Sequence, residues 1–202
     1  IQDGQEEDPS IRADFFERTR SYFSTAYAKG TMFASHLDYI IGRKAMERTL
    51  KRFYKEFAFK HPTPEDFIRC AEKESGMQLH WFLNEFMQTT HHIGYCIEKV
   101  EAKGNRTLVT LSKKGRVPMP LDILIIPQGQ KPFSVYVPID LTFGEKPNPF
   151  TNMERIVLPV WNWAENSYQF ELPIPLIDVK NIEIDPQEFL ADPNAECHSY
   201  RY

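Results

Sequence analysis

Proline distribution divides the 202-residue chain into two unlike parts. Of its 15 prolines, only 3 precede residue 93, and the other 12 follow it. Proline lacks a backbone N–H and disrupts helix interiors, so it concentrates in turns and at strand edges. The distribution therefore predicts an α+β chain, with a helical array over residues 1–92 and an all-β domain over residues 93–202.

Four helices are predicted before residue 93, because apolar residues recur there at the spacing of one helix face. The first ends at Gly42, and the third has Thr63 as N-cap and Pro64 as its first residue. Short connections predict antiparallel neighbours. The apolar residues that define the faces are Phe33, Leu37, Ile40 and Ile41; Met46, Leu50, Phe53, Tyr54 and Phe57; Phe67, Ile68 and Ala71; and Leu79, Phe82, Leu83 and Phe86.

Short segments rich in β-branched and aromatic residues follow, each bounded by glycine or proline. Seven of them within about a hundred residues predict a β-sandwich. The proline-containing insert at residues 144–149 is predicted to be a loop. The seven segments are residues 95–101, 106–112, 122–126, 133–137, 156–160, 167–172 and 177–184.

Charge and hydropathy exclude two classes of partner. Residues 1–92 hold 13 Lys and Arg against 14 Asp and Glu, and residues 93–202 hold 11 against 14. Neither part has the basic excess that a phosphate-binding surface needs, so nucleic acid is not an expected partner. No run approaches the ~18 apolar residues of a membrane span.

The three cysteines Cys70, Cys96 and Cys197 are odd in number and far apart. They predict neither a disulfide framework nor a CxxC zinc site. Cys70 falls near the inner face of a helix, where a small buried hydrophobe is a better interpretation than a nucleophile. The chain starts at Ile1 without a signal-peptide pattern, so it is expected to be a processed or truncated piece. Its compartment stays open between cytoplasmic and periplasmic or secreted.

The sequence contains no complete catalytic motif. None of its six histidines forms HExxH, and GxSxG, P-loop and GxGxxG patterns are absent. Adjacent His91 and His92 favour a hinge, with one ring satisfied by a backbone carbonyl, over metal ligation. Trp161 and Trp163 could bind carbohydrate or a partner as an exposed pair, but packing within the sandwich or between domains is favoured.

Several short motifs in the helical part nevertheless occur in a familiar order. Over residues ~20–92 the chain resembles the zinc aminopeptidases of the aminopeptidase N type, the gluzincins. The motifs are Tyr27-Ala28-Lys29-Gly30, a helix ending at Gly42, the basic aromatic helix before residue 58, Thr63-Pro64-Glu65-Asp66-Phe67, and Ser75-Gly76 followed by Leu79 and Phe82. Ala28 and Phe86 depart from residues common in the family.

The resemblance implies that the helical part is the C-terminal half of a thermolysin-like catalytic domain. Zinc in the parent protein would be supplied by residues absent from this chain, so no metal ligand or cofactor-binding residue is assigned here. Tyr27 would donate its hydroxyl to the oxyanion of the tetrahedral intermediate. The implied partners are a peptide substrate, the missing N-terminal catalytic half, and a second copy through an exposed helical face.

Rival interpretations stay open at this point. The chain alone is expected to be inactive, and its parent a zinc aminopeptidase; the alternative is a non-enzymatic interaction module on the same scaffold. A weaker alternative is a complete binding protein unrelated to peptidases. Tyr27 could simply pack on Phe23. Lys29 is expected on a solvated or ion-paired face, and Gly30 at a close helix contact.

Overall fold

The computed structural model describes residue 11 and residues 13–202, which form two compact units. The helical unit contains the described residues up to His92 together with Leu141–Pro147. The β unit contains Ile93–Asp140 and Asn148–Tyr202. The predicted α+β class is confirmed, because helices and sheets are segregated along the chain.

The helical unit is built from one long helical run and three further helices. The run consists of α1, a seven-residue π-helix and α2, which follow one another without interruption. A short 3₁₀ turn, Ala13–Phe15, precedes it. The bounds are α1 Thr19–Tyr22, the π-helix Phe23–Lys29, α2 Gly30–Ile41, α3 Arg43–Phe57, α4 Pro64–Ser75 and α5 His80–Met87.

Local signals fix where these helices begin and end. Thr63 and Asp66 form a capping box, in which the Thr63 N–H donates to Asp66 Oδ2 at 2.9 Å. Gly76 ends α4 in the left-handed conformation at φ 73°, which glycine adopts without a Cβ clash. Gly42 has φ 82° between α2 and α3, so it allows the sharp turn that separates them.

An aromatic and aliphatic core holds α2, α4 and α5 together. Leu37, Ile68 and Leu79 are fully buried, and the Phe33 and Phe82 rings stack with centroids 5.0 Å apart. The segment Leu141–Pro147 adds to this unit through the buried Lys146. Its Nζ lies 3.4 Å from the centroid of the Tyr39 ring and donates to the Tyr39 carbonyl at 3.2 Å.

The β unit contains a three-stranded and a five-stranded sheet. Their orders are β1-β2-β6 and β5-β4-β3-β7-β8, and every pairing is antiparallel except the parallel pair β4 and β5. The bounds are β1 Tyr95–Lys103, β2 Arg106–Lys113, β3 Leu121–Pro127, β4 Phe133–Val137, β5 Arg155–Val157, β6 Ser167–Leu172, β7 Val179–Ile184 and β8 Ser199–Arg201.

Side-chain alternation explains how these strands make a sandwich core. In β2, Thr107, Val109 and Leu111 are buried while the residues between them are partly exposed. Trp161 belongs to the same core at 2% exposure and stacks on Tyr168, with centroids 5.2 Å apart. Trp163 is 49% exposed, so the two tryptophans do not form an exposed pair. The favoured prediction, that the tryptophan packs within the sandwich, is therefore confirmed for Trp161.

The prediction that the cysteines form no disulfide framework is wrong for Cys96 and Cys197. Cys96 at the start of β1 forms a disulfide with Cys197, which ends the short 3₁₀ helix Ala195–Cys197. The two residues are 101 positions apart in sequence, and only the sheet topology brings their Cα atoms to 5.0 Å. Cys70 is a buried free thiol, as expected, and burial raises its pKa above the ordinary value.

Candidate functional site

The π-helix Phe23–Lys29 determines how the candidate residue Tyr27 is presented. π-helical turns are rare, and they occur mostly as insertions within α-helices, frequently at functional sites. The segment has two different sides, with Thr25 and Lys29 buried and Phe23 and Tyr27 exposed. Tyr27 therefore projects outward from a segment whose opposite side is packed.

The Tyr27 ring is supported by other aromatic rings. It stacks on Phe23 with centroids 5.4 Å apart and an interplanar angle of 24°, and it meets the Tyr22 ring edge-on at 6.0 Å. The residue is 60% exposed, and its hydroxyl forms no hydrogen bond with any other described residue. A tyrosine hydroxyl has one proton to donate, so this one is available to a bound molecule.

Exposed aromatic residues extend the surface around Tyr27. Phe15 and Phe23 are both more than half exposed, and Tyr22 packs edge-on against Phe16 at 5.3 Å. Clustered exposed apolar side chains mark surfaces that bind other molecules. The surface formed by Phe23 and Tyr27 is called the aromatic surface below.

Lys29 does not lie on a solvated face, contrary to the expectation from sequence. It is 6% exposed, and its Nζ donates to the Thr89 carbonyl at 2.6 Å. Nζ also lies 5.7 Å from the centroid of the buried Phe86 ring. The expectation for Gly30 also fails, since a Cβ placed there would meet nothing within 4 Å.

The histidines of the helical unit lie in unrelated surroundings. His36 is buried on α2 and meets Phe86 edge-on at 5.1 Å. His91 Nδ1 lies 2.8 Å from Glu85 Oε2, so a carboxylate is a partner of this ring nitrogen.

A second buried polar cluster lies in the β unit. His198 Nε2 lies 2.8 Å from Asp192 Oδ2, which also accepts the Tyr95 N–H at 2.7 Å. Burial raises the pKa of Asp192, but hydrogen bonds from His198 and the Asn194 and Tyr95 N–H groups outweigh it. The pKa is therefore held below its ordinary value. No local motif in the sequence indicated this cluster, because its members come from β1 and the C-terminal segment.

The described residues do not fit a zinc ion. Zinc needs at least three protein ligands from His, Cys, Asp or Glu, placed around one point. Over residue 11 and residues 13–202, no group of three or more such residues is close enough to hold a metal. In the same residues, no helix has the length and apolar composition needed to cross a membrane.

Comparisons with known proteins agree on one relationship. Residues 6–86 match the family model described as the Peptidase family M1 domain. No curated protein matches the chain. A similar solved structure is aminopeptidase A of Legionella pneumophila in complex with aspartic acid, with 16% sequence identity and a TM-score of 0.50. The alignment covers 77% of this chain and 16% of that chain.

These matches confirm the resemblance that the ordered motifs predicted. The family match ends at residue 86, within the helical unit, and includes Tyr27 and Lys29. The structural match supports the fold alone, because its sequence identity is low. The chain spans about a sixth of the length of the Legionella protein, which leaves most of that protein without a counterpart here.

Proposed function

Because residues 6–86 carry an M1-type peptidase segment, we propose that the chain is the C-terminal portion of a zinc aminopeptidase. The parent protein hydrolyses N-terminal residues from peptides. The helical unit is the C-terminal half of its catalytic domain, and the β unit is the sandwich domain that follows it.

Tyr27 is the residue of this chain that acts on the substrate. The observation that carries this proposal is the exposed Tyr27 hydroxyl, which no described residue engages. Attack on a peptide carbonyl places negative charge on its oxygen, and a positioned donor stabilises that charge. Tyr27 donates its O–H to this oxygen, while the stack on Phe23 restricts the ring.

Zinc belongs to other parts of the parent protein in this proposal. The sequence has no HExxH motif, and the described residues do not bring three ligands together. No chemical step assigned to this chain therefore passes through the metal. The chain by itself is expected to have no peptidase activity and no stoichiometric zinc. Turnover of an amino-acid anilide by the purified chain, or one bound zinc by elemental analysis, would contradict this.

Substitution of Tyr27 in the parent enzyme tests its role. Tyr27→Phe keeps the ring and removes only the hydroxyl, so kcat should fall by about 10²–10³-fold, the typical effect of losing one oxyanion donor. Zinc content should not change. Tyr54→Phe is the matched control, because Tyr54 is an exposed tyrosine on α3, away from the π-helix. Unchanged turnover in Tyr27→Phe would refute the assignment.

The aromatic surface favours a second candidate, a non-enzymatic interaction module. Phe23 and Tyr27 are both more than half exposed, and such side chains bind protein partners or a second copy. The two candidates differ in the sequence that precedes this chain in its gene. HExxH with a downstream glutamate there supports the enzyme, and its absence supports the module. Sedimentation of Phe23→Ser beside the unaltered chain measures self-association through this surface.

A further inference from the structure

Lys29 lies on the buried side of the π-helix, although lysine is rare at packed positions. Lysine is almost never buried without a partner, because removing its ammonium from water is unfavourable. Lys29 is 6% exposed and directs Nζ to the Thr89 carbonyl at 2.6 Å. It lies two residues after Tyr27, and side chains two apart in a helix do not share a face.

Hydrogen bonds also hold Thr89, whose carbonyl accepts from Lys29 Nζ. Thr89 Oγ1 donates to the Glu85 carbonyl at 2.5 Å and accepts the His91 N–H at 3.0 Å. Glu85 Oε2 in turn lies 2.8 Å from His91 Nδ1. Hydrogen bonds and close contacts among Glu85, Thr89 and His91 therefore hold the chain just beyond α5. They fix the position of the Thr89 carbonyl. A cation near a helix C-terminus is also favoured by the helix dipole.

From these contacts we infer that Lys29 is a positioning residue for Tyr27, acting by fixing the rotation of the π-helix about its own axis. This inference rests on the proposed role of Tyr27. The bond from Nζ to the Thr89 carbonyl anchors the inner side of the segment to the end of α5. Because Tyr27 projects from the opposite side, any rotation of the segment displaces its hydroxyl.

The other hydrogen bond and the ring stack described for Tyr27 stay within the helical run. Phe23 stacks on Tyr27 but belongs to the same π-helix, so the two rings rotate together. Thr31 Oγ1 donates to the Tyr27 carbonyl at 2.8 Å, a contact within the same helical run. Buried Thr25 adds packing but no hydrogen bond through its hydroxyl to the described residues. Lys29 supplies a polar bond that ties the π-helix to the residues just after α5.

The NMR signals of the tyrosine rings in the unmodified chain and its variants give a direct test. With ring-labelled tyrosine, the Tyr27 signal is assigned by its loss in Tyr27→Phe. Lys29→Met keeps a long apolar stem and removes the ammonium, so the Tyr27 signal should shift as its ring moves relative to the Tyr22 ring of α1, which lies 6.0 Å from it. Lys29→Arg keeps a donor and should restore the signal. Lys44→Met, at an exposed lysine on α3, is the matched control and should leave it unmoved.

A second variant keeps the test decisive if Lys29→Met does not fold. Thr89→Val removes the Oγ1 bonds that hold the acceptor carbonyl, and it should move the Tyr27 signal in the same direction by less. A Tyr27 signal that is unchanged in Lys29→Met, or in Thr89→Val when Lys29→Met is unfolded, would overturn the inference.

Turnover in the parent enzyme separates positioning from general support of the fold. Lys29→Met should lower kcat by about 10–10²-fold with KM unchanged, since small displacements of a reacting group reduce rates by this amount. In the Tyr27→Phe background the same substitution should have no further effect, because the group it positions is gone. Equal effects in both backgrounds would refute a role through Tyr27. If Tyr27→Phe alone leaves turnover unchanged, the proposed function fails, while the resonance shift still decides whether Lys29 positions the ring.

Discussion

Removal of the Cys96–Cys197 disulfide should destabilise the β unit. The bond joins the start of β1 to the segment before β8 and closes a loop with a sequence separation of 101 residues. In the oxidised chain, this loop restricts the unfolded ensemble. In the double variant Cys96→Ala/Cys197→Ala, the unfolded chain regains that freedom while the folded strands keep their pairing.

The size of the effect follows from the length of the loop. Loop-closure entropy for about 100 residues corresponds to about 4.7 kcal/mol at 25 °C, and measured losses of native disulfides lie at about 2–5 kcal/mol. Small domains unfold with about 5–15 kcal/mol, so a loss of about 4.7 kcal/mol would be about a third of the stability at the upper end of that range and nearly all of it at the lower end. With a urea slope of about 2 kcal/mol/M, the midpoint should fall by about 2 M.

Tryptophan fluorescence during urea unfolding measures this shift in the β unit. Trp161 and Trp163 lie in the β unit and Trp81 in the helical unit, so a Trp81→Phe background makes the signal specific. A thiol count in denaturant without reductant should find one reactive thiol, that of Cys70, and three after reduction. Cys70→Ala is the control that leaves the difference between oxidised and reduced chains intact.

Two outcomes would refute this reasoning in different ways. Three reactive thiols without reductant would show that the bond does not form in the isolated protein. One thiol together with an unchanged midpoint in the double variant would show that the long loop does not govern the stability of the β unit.

Three further predictions concern single contacts. Gly94→Ala would place a Cβ 2.5 Å from the Gly115 backbone nitrogen, so the backbone must shift, and thermal unfolding should show a loss of at least about 1–3 kcal/mol. Thr63→Ala removes the hydroxyl that caps α4, and urea unfolding followed by helical circular dichroism should show a loss of about 1 kcal/mol. The pKa of Asp192 is held below its ordinary value, so its stabilising effect is complete above about pH 4 and is lost as the pH falls through the folded-state pKa. The stability advantage of the unaltered chain over Asp192→Asn should therefore shrink on acidification below about pH 4, and an advantage constant from pH 2 to 6 would contradict the charge-based account.

Helix boundaries and strand locations could be predicted because their causes are local. The capping box at Thr63, the left-handed Gly76 and the turn at Gly42 each depend on neighbours within a few residues. The β-branched and aromatic content between glycine or proline boundaries likewise located β2 within one residue and β4 at its observed bounds. The strand predicted at residues 177–184 starts later, because Leu176–Asp178 forms a 3₁₀ turn before β7.

The surroundings of the candidate site could not be predicted in the same way. Tyr27 was identified from a short motif, and the π-helix that carries it has no sequence pattern of its own. Lys29 looked like a surface residue because its partner, the Thr89 carbonyl, is 60 residues away. β8 was missed because three residues at the end of the chain carry too little periodicity to indicate a strand.

The sequence by itself therefore determined the division into helical and β parts, the helix ends, and a motif resemblance that pointed to Tyr27. These depend on proline placement, caps and side-chain period, which act over a few residues. Only the tertiary structure decided that Cys96 pairs with Cys197 and that Lys29 is buried against Thr89. Such contacts join distant segments, and their energies depend on a geometry that exists only once the sheets and helices have packed.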